Sequence, residues 1–297
     1  MEQSKNVIEC KNLTHYYGKK LVYQNLNFAL QEGRIMGLLG KNGAGKSTTI
    51  NILNGFLEPR SGQCLIYGED TQNLSPATKS RIGYLIEGHI QYSFMNVHQI
   101  EKFYSGFYKN WKAEAYWELI NKLKILPKQK ISTMSCGQRA QVALGLILAQ
   151  DPDLLILDDF SLGLDPGYRR LFIDYLREYC KAQKKTVFLT SHIIQDMERL
   201  IDDVFIMDYN RVLVQCPVKE FIDSFKGFTF DLERDDVEFS DPVIVNSEHI
   251  NNHYEVYTYG DEADVKKMLD TMGLPYTNFK RMNLTLEDSF IGLTGKY

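Results

Sequence analysis

The sequence predicts an α/β fold: a mostly parallel, buried sheet with helices on both faces, followed by a smaller α+β unit. Three observations lead there. A glycine-rich loop at residues 40–47 lies between an apolar run and a helix-like stretch. Residues 153–200 read strand, helix, strand, helix, and the strands are almost continuously apolar, as a sheet covered on both sides requires. Near Gly227 the pattern changes to short strand-like runs around one amphipathic helix. The chain has 297 residues, 44% of them hydrophobic and 24% charged, the proportions of a globular protein with a sizeable core.

Residues 7–32 alternate apolar and polar types between turn residues, which predicts short, mostly antiparallel strands. Residues 34–39 read as a buried strand and 45–54 as a helix. Glu58-Pro59-Arg60-Ser61-Gly62 is a turn, and a strand at 64–67 stops at Gly68. A strand at 81–86 leads to Glu87 and Gly88. Residues 97–125 lose the β character: Ile100, Phe103, Tyr104, Phe107, Trp111, Trp117 and Leu119 recur at helical spacing. They are expected to pack inside a helical subdomain spanning about 88–150. Too few basic residues accompany them for base stacking. A helix at 138–150 stops before Asp151-Pro152, and residues 153–158 form an apolar strand with an acidic end. A helix (168–181), a strand (186–190), a helix (193–200), a hairpin (204–207 with 212–215) and a helix (218–226) complete a first domain, 1–227. Residues 228–297 read as a small α+β domain, with strands at 228–232, 242–245, 254–259 and 276–280, a helix at 261–272 and a terminal helix.

A net charge of −4 argues against broad electrostatic attraction to nucleic acid. Five scattered cysteines, odd in number and without metal-type spacing, indicate a reducing compartment. The opening Met-Glu-Gln-Ser-Lys-Asn-Val lacks the apolar segment of a secretory signal. The longest apolar run, 142–149, falls far short of the roughly 20 residues that span a bilayer. At a membrane, such a chain is expected to dock onto an embedded protein.

Gly40-Lys41-Asn42-Gly43-Ala44-Gly45-Lys46-Ser47 fits G-x-x-x-x-G-K-[ST] in the strand–loop–helix context that gives the pattern its meaning. Glycines tolerate positive φ and carry no Cβ, so backbone N–H groups can turn inward around phosphate oxygens. The following helix offers its unpaired N–H groups and positive dipole end to the same anion. Gly40, Asn42, Gly43, Ala44, Gly45, Lys46, Ser47 and Thr48 are therefore the candidate nucleotide-binding residues. Lys46 supplies a point charge for the β- and γ-phosphates and Ser47 a hydroxyl for Mg²⁺.

Five further segments narrow the reading, and with them residues 6–225 resemble the ATP-binding subunit of an ABC transporter. Met134-Ser135-Cys136-Gly137-Gln138 is similar to the signature L-S-G-G-Q that opens a helix; alone it is only a helix cap, but it falls between Lys46 and Asp158 at the family's spacing. Leu154-Leu155-Ile156-Leu157-Asp158-Asp159 resembles the Walker B strand. Asp158 there holds Mg²⁺ through water, and Asp159 stands where the family has the glutamate that polarises the attacking water. Leu162-Gly163-Leu164-Asp165-Pro166 resembles the D-loop. Thr190-Ser191-His192 resembles the H-loop, in which His192 would bind the γ-phosphate and position the water. Tyr17 of Tyr16-Tyr17-Gly18 matches the aromatic that stacks on adenine, with Tyr16 turned the other way into the β layer.

The resemblance implies a P-loop NTPase (ABC ATPase) core with an antiparallel β subdomain and a helical subdomain, plus the small C-terminal α+β domain. It implies ATP and Mg²⁺ as cofactors. Asp159, His192 and Lys46 would be catalytic, and Ser47, Glu87 and Asp158 would bind the metal. Tyr17 and the glycine loop would hold the nucleotide from one protomer, and Ser135, Gly137 and Gln138 from the other, in an ATP-dependent homodimer. A separate transmembrane permease subunit would place the protein at the inner face of the cell membrane, without a nucleic-acid partner. The run Leu284-Thr285-Leu286-Glu287-Asp288-Ser289-Phe290-Ile291 resembles the S/T-L-E-D-x-F ending of ATPases from bacterial exporters, which favours export of the ABC-2 type. Three positions depart from the pattern. Glu87 replaces a glutamine and adds a third carboxylate, so a steeper Mg²⁺ requirement is expected. Asp159 is a methylene shorter than glutamate, which predicts slower hydrolysis. Cys136 replaces a glycine and would cost roughly 1 kcal/mol or more if the backbone there had positive φ. The alternatives are a switch that binds ATP with little turnover, or an ABC ATPase outside transport.

Overall fold

The computed structural model describes residues 5–86, 92–160 and 164–295. The chain separates into two compact units, one ending at Gln215 and the other beginning at Cys216. In chain order the first holds β1 (Asn6–Tyr17), β2 (Lys20–Gln31), β3 (Ile35–Gly40), α1 (Lys46–Leu53), β4 (Ser61–Ile66), β5 (Glu69–Asp70), α2 (Pro76–Lys79) and β6 (Ile82–Leu85). There follow α3 (Val97–Ser105), α4 (Ala113–Lys122), α5 (Cys136–Ala149), β7 (Leu154–Leu157), α6 (Pro166–Ala182), β8 (Thr186–Thr190), α7 (Ile194–Leu200), β9 (Asp203–Asp208) and β10 (Arg211–Pro217). The second unit adds α8 (Val218–Ser224), β11 (Lys226–Leu232), β12 (Asn246–Ile250), β13 (His253–Thr258), α9 (Glu262–Thr271), β14 (Tyr276–Arg281) and α10 (Leu286–Thr294).

The sheet that positions the site has the order β10-β9-β3-β8-β7-β6, with β9, β3, β8, β7 and β6 paired in parallel. Every residue of β7 and β8 is buried, which is why those strands are apolar throughout. A second, antiparallel sheet has the order β2-β1-β4-β5. The expected short strands over 7–32 are two strands of 12 residues each, kept continuous by irregularities in their pairing. The two sheets share one core, in which Phe28 stacks on Phe188 at 5.6 Å and lies 4.8 Å from Phe205.

Helices α3, α4 and α5 form the helical subdomain. Buried Tyr116 fits against Gly145, where a Cβ would lie 2.9 Å from its ring, and donates its hydroxyl to the Val97 carbonyl at 2.9 Å. Phe103 and Phe107 correct the core assignment made from spacing. The buried face of α3 is Val97, Ile100 and Glu101, the last accepting a hydrogen bond from Trp111 Nε1 at 2.8 Å. This turns Phe103 and Phe107 outward, 36% and 70% exposed.

In the second unit an antiparallel sheet, order β12-β13-β11-β14, packs Phe228, Phe230, Tyr254 and Val256 against Val265, Met268 and Leu269 of α9. Residues 242–245 are not a strand: the Asp241 side chain accepts from the Val243 N–H at 2.9 Å and its carbonyl from the Ile244 N–H at 3.0 Å, forming a turn. The strand begins after it, at Asn246. The change of composition near Gly227 comes after the structural division because α8 belongs to the second unit. Its Phe221 stacks on Phe225, and Phe225 on Tyr257. Gly292 of α10 is seated on the Tyr257 ring so closely that a Cβ would overlap it. Gly292→Ala is therefore expected to destabilise this unit by about 1–3 kcal/mol, read as a lower urea midpoint. The loss should shrink in a Tyr257→Leu background.

Candidate functional site

The site forms where three neighbouring parallel strands, β3, β8 and β7, reach their carboxyl ends. After β3 the chain makes the glycine loop. Gly45 has φ +106, and a Cβ there would lie 2.8 Å from the Tyr23 ring, so both conformation and space require glycine. Gly45 caps α1 without a side-chain hydrogen bond, which leaves the first N–H groups of that helix directed into the loop. Lys46 Nζ donates to the carbonyls of Gly40 at 2.7 Å and Lys41 at 3.3 Å. Burial lowers the Lys46 pKa, and the carboxylates of Asp158 and Asp159 oppose that shift.

A cleft of about 240 Å³ opens over this loop. Asn42, Gly43, Gly45, Lys46, Ser47 and Thr48 line its floor, and Asp158, Asp159, Thr190, Ser191 and His192 its far wall. Tyr17 closes one end, 52% exposed, with its hydroxyl 3.4 Å from Thr48 Oγ1. Gly40 and Ala44, expected to touch the nucleotide, do not line the cleft; they build the loop from behind, with the Ala44 N–H bonded to the Lys41 carbonyl at 3.1 Å. Tyr16 is half-buried and stands outside the cleft; it lines a separate hollow with Gly18, Pro59 and Arg60 and is not part of the buried core between the sheets.

The acidic end of β7 is held by Thr190, at the end of β8. The Thr190 hydroxyl donates to Asp158 Oδ1 at 2.7 Å and accepts the Asp159 N–H at 3.0 Å. Burial raises the Asp158 pKa; the Thr190 hydrogen bond, His192 and Lys46 lower it, and Asp159 raises it further. Asp159 takes a left-handed backbone, φ +45, and is 4% exposed. Its Oδ1 accepts the His192 N–H at 3.3 Å; its Oδ2 has no hydrogen-bond partner and lies 3.7 Å from His192 Nε2. The sequence motif that contains Thr190 assigns it no role. The available signal was a hydroxyl at the end of a strand expected to neighbour the acidic one. Glu87 lies outside the described residues.

Ser135, Gly137 and Gln138 are elsewhere. They line a separate hollow of about 340 Å³ together with Leu164, Asp165 and Tyr168. Ser135 caps α5: its hydroxyl accepts the Gln138 N–H at 3.1 Å, and the Gln138 side chain accepts the Ser135 N–H at 3.2 Å. Cys136 is the first residue of that helix and is not among the residues of positive φ, so the anticipated backbone cost does not arise. Within one chain the glycine loop and the Ser135 segment therefore line two separate hollows.

The family model described as ABC transporter matches residues 23–161. The Nod factor export ATP-binding protein I of Cupriavidus metallidurans is 28% identical over 98% of this chain and 98% of its own. The structure of an ATP-binding subunit of an ABC transporter superposes with a TM-score of 0.65 at 25% identity, covering 73% of this chain and 92% of that one. A dimeric ATP-binding cassette bound to ADP and phosphate superposes with a TM-score of 0.61 at 20% identity, over 71% of this chain and 98% of that one. The glycine loop, the paired aspartates after β7, His192 after β8 and these likenesses together establish that the chain belongs to the ABC transporter family, as one of its ATP-binding subunits.

Proposed function

We propose that two copies of this chain close around two ATP molecules and that the cycle of closure and release drives export through a separate permease. The observation that carries the proposal is the separation of the half-sites. The phosphate loop, Asp158, Asp159 and His192 share one cleft, while Ser135 and Gly137 face a different hollow at the start of α5. A second copy placed head to tail supplies the missing half to each cleft, giving two-fold symmetry. Lys46 and the N-terminus of α1 hold the phosphates, Tyr17 carries the adenine, and the Ser135 hydroxyl and Gly137 backbone meet the γ-phosphate from the partner.

Ser47 and Asp158 fit Mg²⁺: both offer oxygen, and Asp158 is a partly desolvated carboxylate whose pKa is raised by burial, which an adjacent cation would offset. Bound there with nucleotide phosphates, the metal neutralises phosphate charge. Glu87 is the third oxygen donor in this reading. Asp159 orients the attacking water with its unpartnered Oδ2, steadied by the hydrogen bond from the His192 backbone, and His192 contacts the γ-phosphate.

For the permease, Tyr84, Leu85, Tyr104, Tyr108, Leu146 and Ile147 line a groove of about 280 Å³ beside the helical subdomain. Tyr92, Phe94, Phe103 and Phe107 form an exposed aromatic cluster, with ring centres 5.0–6.0 Å apart between neighbours. Exposed apolar surface of this kind suits docking against a membrane subunit. No helix among the described residues is long and apolar enough to cross a membrane. The export relative supports the direction of transport, and attachment to the inner face of the membrane follows from docking.

Asp159→Asn is expected to lower ATPase kcat by about 10²-fold or more and to give a dimer in sedimentation with Mg-ATP. Adding Gly137→Asp should return it to monomer while nucleotide still binds. Monomer alone for Asp159→Asn would overturn the proposal. Thr190→Val removes the hydrogen bond that favours ionised Asp158, so the Asp158 pKa rises. The acid limb of the ATPase pH profile is then expected to move to higher pH, with a several-fold fall in kcat on that side. Co-purification with a polytopic membrane protein, lost on Phe103→Glu/Phe107→Glu, tests the docking surface.

A further inference from the structure

His15 lies beneath the exposed tyrosine of the cleft. Its ring centre is 4.9 Å from that of Tyr17, at an interplanar angle of 74°, an edge-to-face pair. The imidazole is 3% exposed, whereas Tyr17 is 52% exposed. Nδ1 is buried without a hydrogen-bond partner. Such an unsatisfied group is retained at a cost in stability and calls for an explanation. The pairing of β1 with β2 is irregular on both sides of His15, which directs the side chain out of the regular alternation. Burial and the nearby Arg60 lower its pKa, so the ring is neutral at neutral pH and acts on Tyr17 as an aromatic surface, without a charge.

We propose that His15 is a positioning residue for nucleotide binding: its buried ring fixes the Tyr17 side chain at the angle from which it stacks on the base. The Tyr17 hydroxyl also approaches Thr48 Oγ1, at 3.4 Å. Without His15 the exposed ring would lose its backing and adopt other rotamers, and the base would bind a less organised platform. The inference rests on the reading of Tyr17 as the platform for adenine. His15 is not among the residues that line the cleft with the phosphate loop and the acidic pair, so it acts on affinity and not on the chemical step.

The test is a double-mutant cycle on the full chain, reading ATP KM and kcat and the affinity for a fluorescent ATP analogue. His15→Ala is expected to raise KM roughly two- to tenfold with kcat unchanged. In a Tyr17→Ala background the same substitution should have no further effect on KM, because the contact it removes is already gone. His15→Phe, which keeps a buried ring, should retain the parental KM and confirms that the fold tolerates the site. An equal rise in KM in both backgrounds, a loss confined to kcat, or a Phe variant no better than Ala would each overturn the role. If Tyr17→Ala alone left KM unchanged, the adenine platform itself would be lost and the proposal with it, a result distinct from the others.

Discussion

The hydroxyl of Thr190 is the interaction on which the arrangement of the site depends. It bonds to the carboxylate of Asp158 and to the backbone N–H of Asp159, and so joins the end of β8 to the end of β7. Two adjacent carboxylates at the edge of a buried sheet repel each other and lose hydration together. One side chain in the neighbouring strand meets both problems: it donates to one carboxylate and fixes the backbone of the other. Fixing that backbone also sets Asp159 in its left-handed conformation and turns its carboxylate toward the His192 N–H. The parallel register of β3, β8 and β7 then brings the acidic pair and the glycine loop to one edge.

In the proposed dimer the site is divided between copies for a related reason. Two helix starts, those of α1 and α5, lie in different parts of the chain, and they differ in how their first N–H groups are used. α1 is left without a side-chain cap, and its N–H groups face the cleft. α5 is capped by its own Ser135. Closure of two copies on ATP can perform work on a partner only through the difference in affinity between closed and open forms. In the proposed dimer, the separation of the two hollows within one chain is what makes that difference available.

Most of the site was legible in the sequence because its elements are local. A glycine loop between strand and helix, an apolar strand ending in Asp158-Asp159 and a strand ending in His192 each carry their meaning within a few residues. Packing across elements was less legible. Helical spacing identified an apolar face on α3 but not which face the rest of the protein covers; Glu101 is buried because Trp111 reaches it, and Phe103 is not. Residues 242–245 looked like a strand until Asp241 claimed the Val243 and Ile244 N–H groups for a turn. His15 carried no signal at all, since its burial and its contact with Tyr17 arise from irregular pairing between two strands whose register no motif encodes.

The ammonium of Lys46 is already spoken for, by the carbonyls of Gly40 and Lys41. An arriving triphosphate must therefore compete with the protein's own backbone for that cation, exchanging existing dipole contacts for ionic ones. Only the surplus of the exchange contributes to grip. In the proposed cycle a ligand lacking the terminal phosphate has less to offer in that trade, so the resting loop itself would help to distinguish spent nucleotide from fresh.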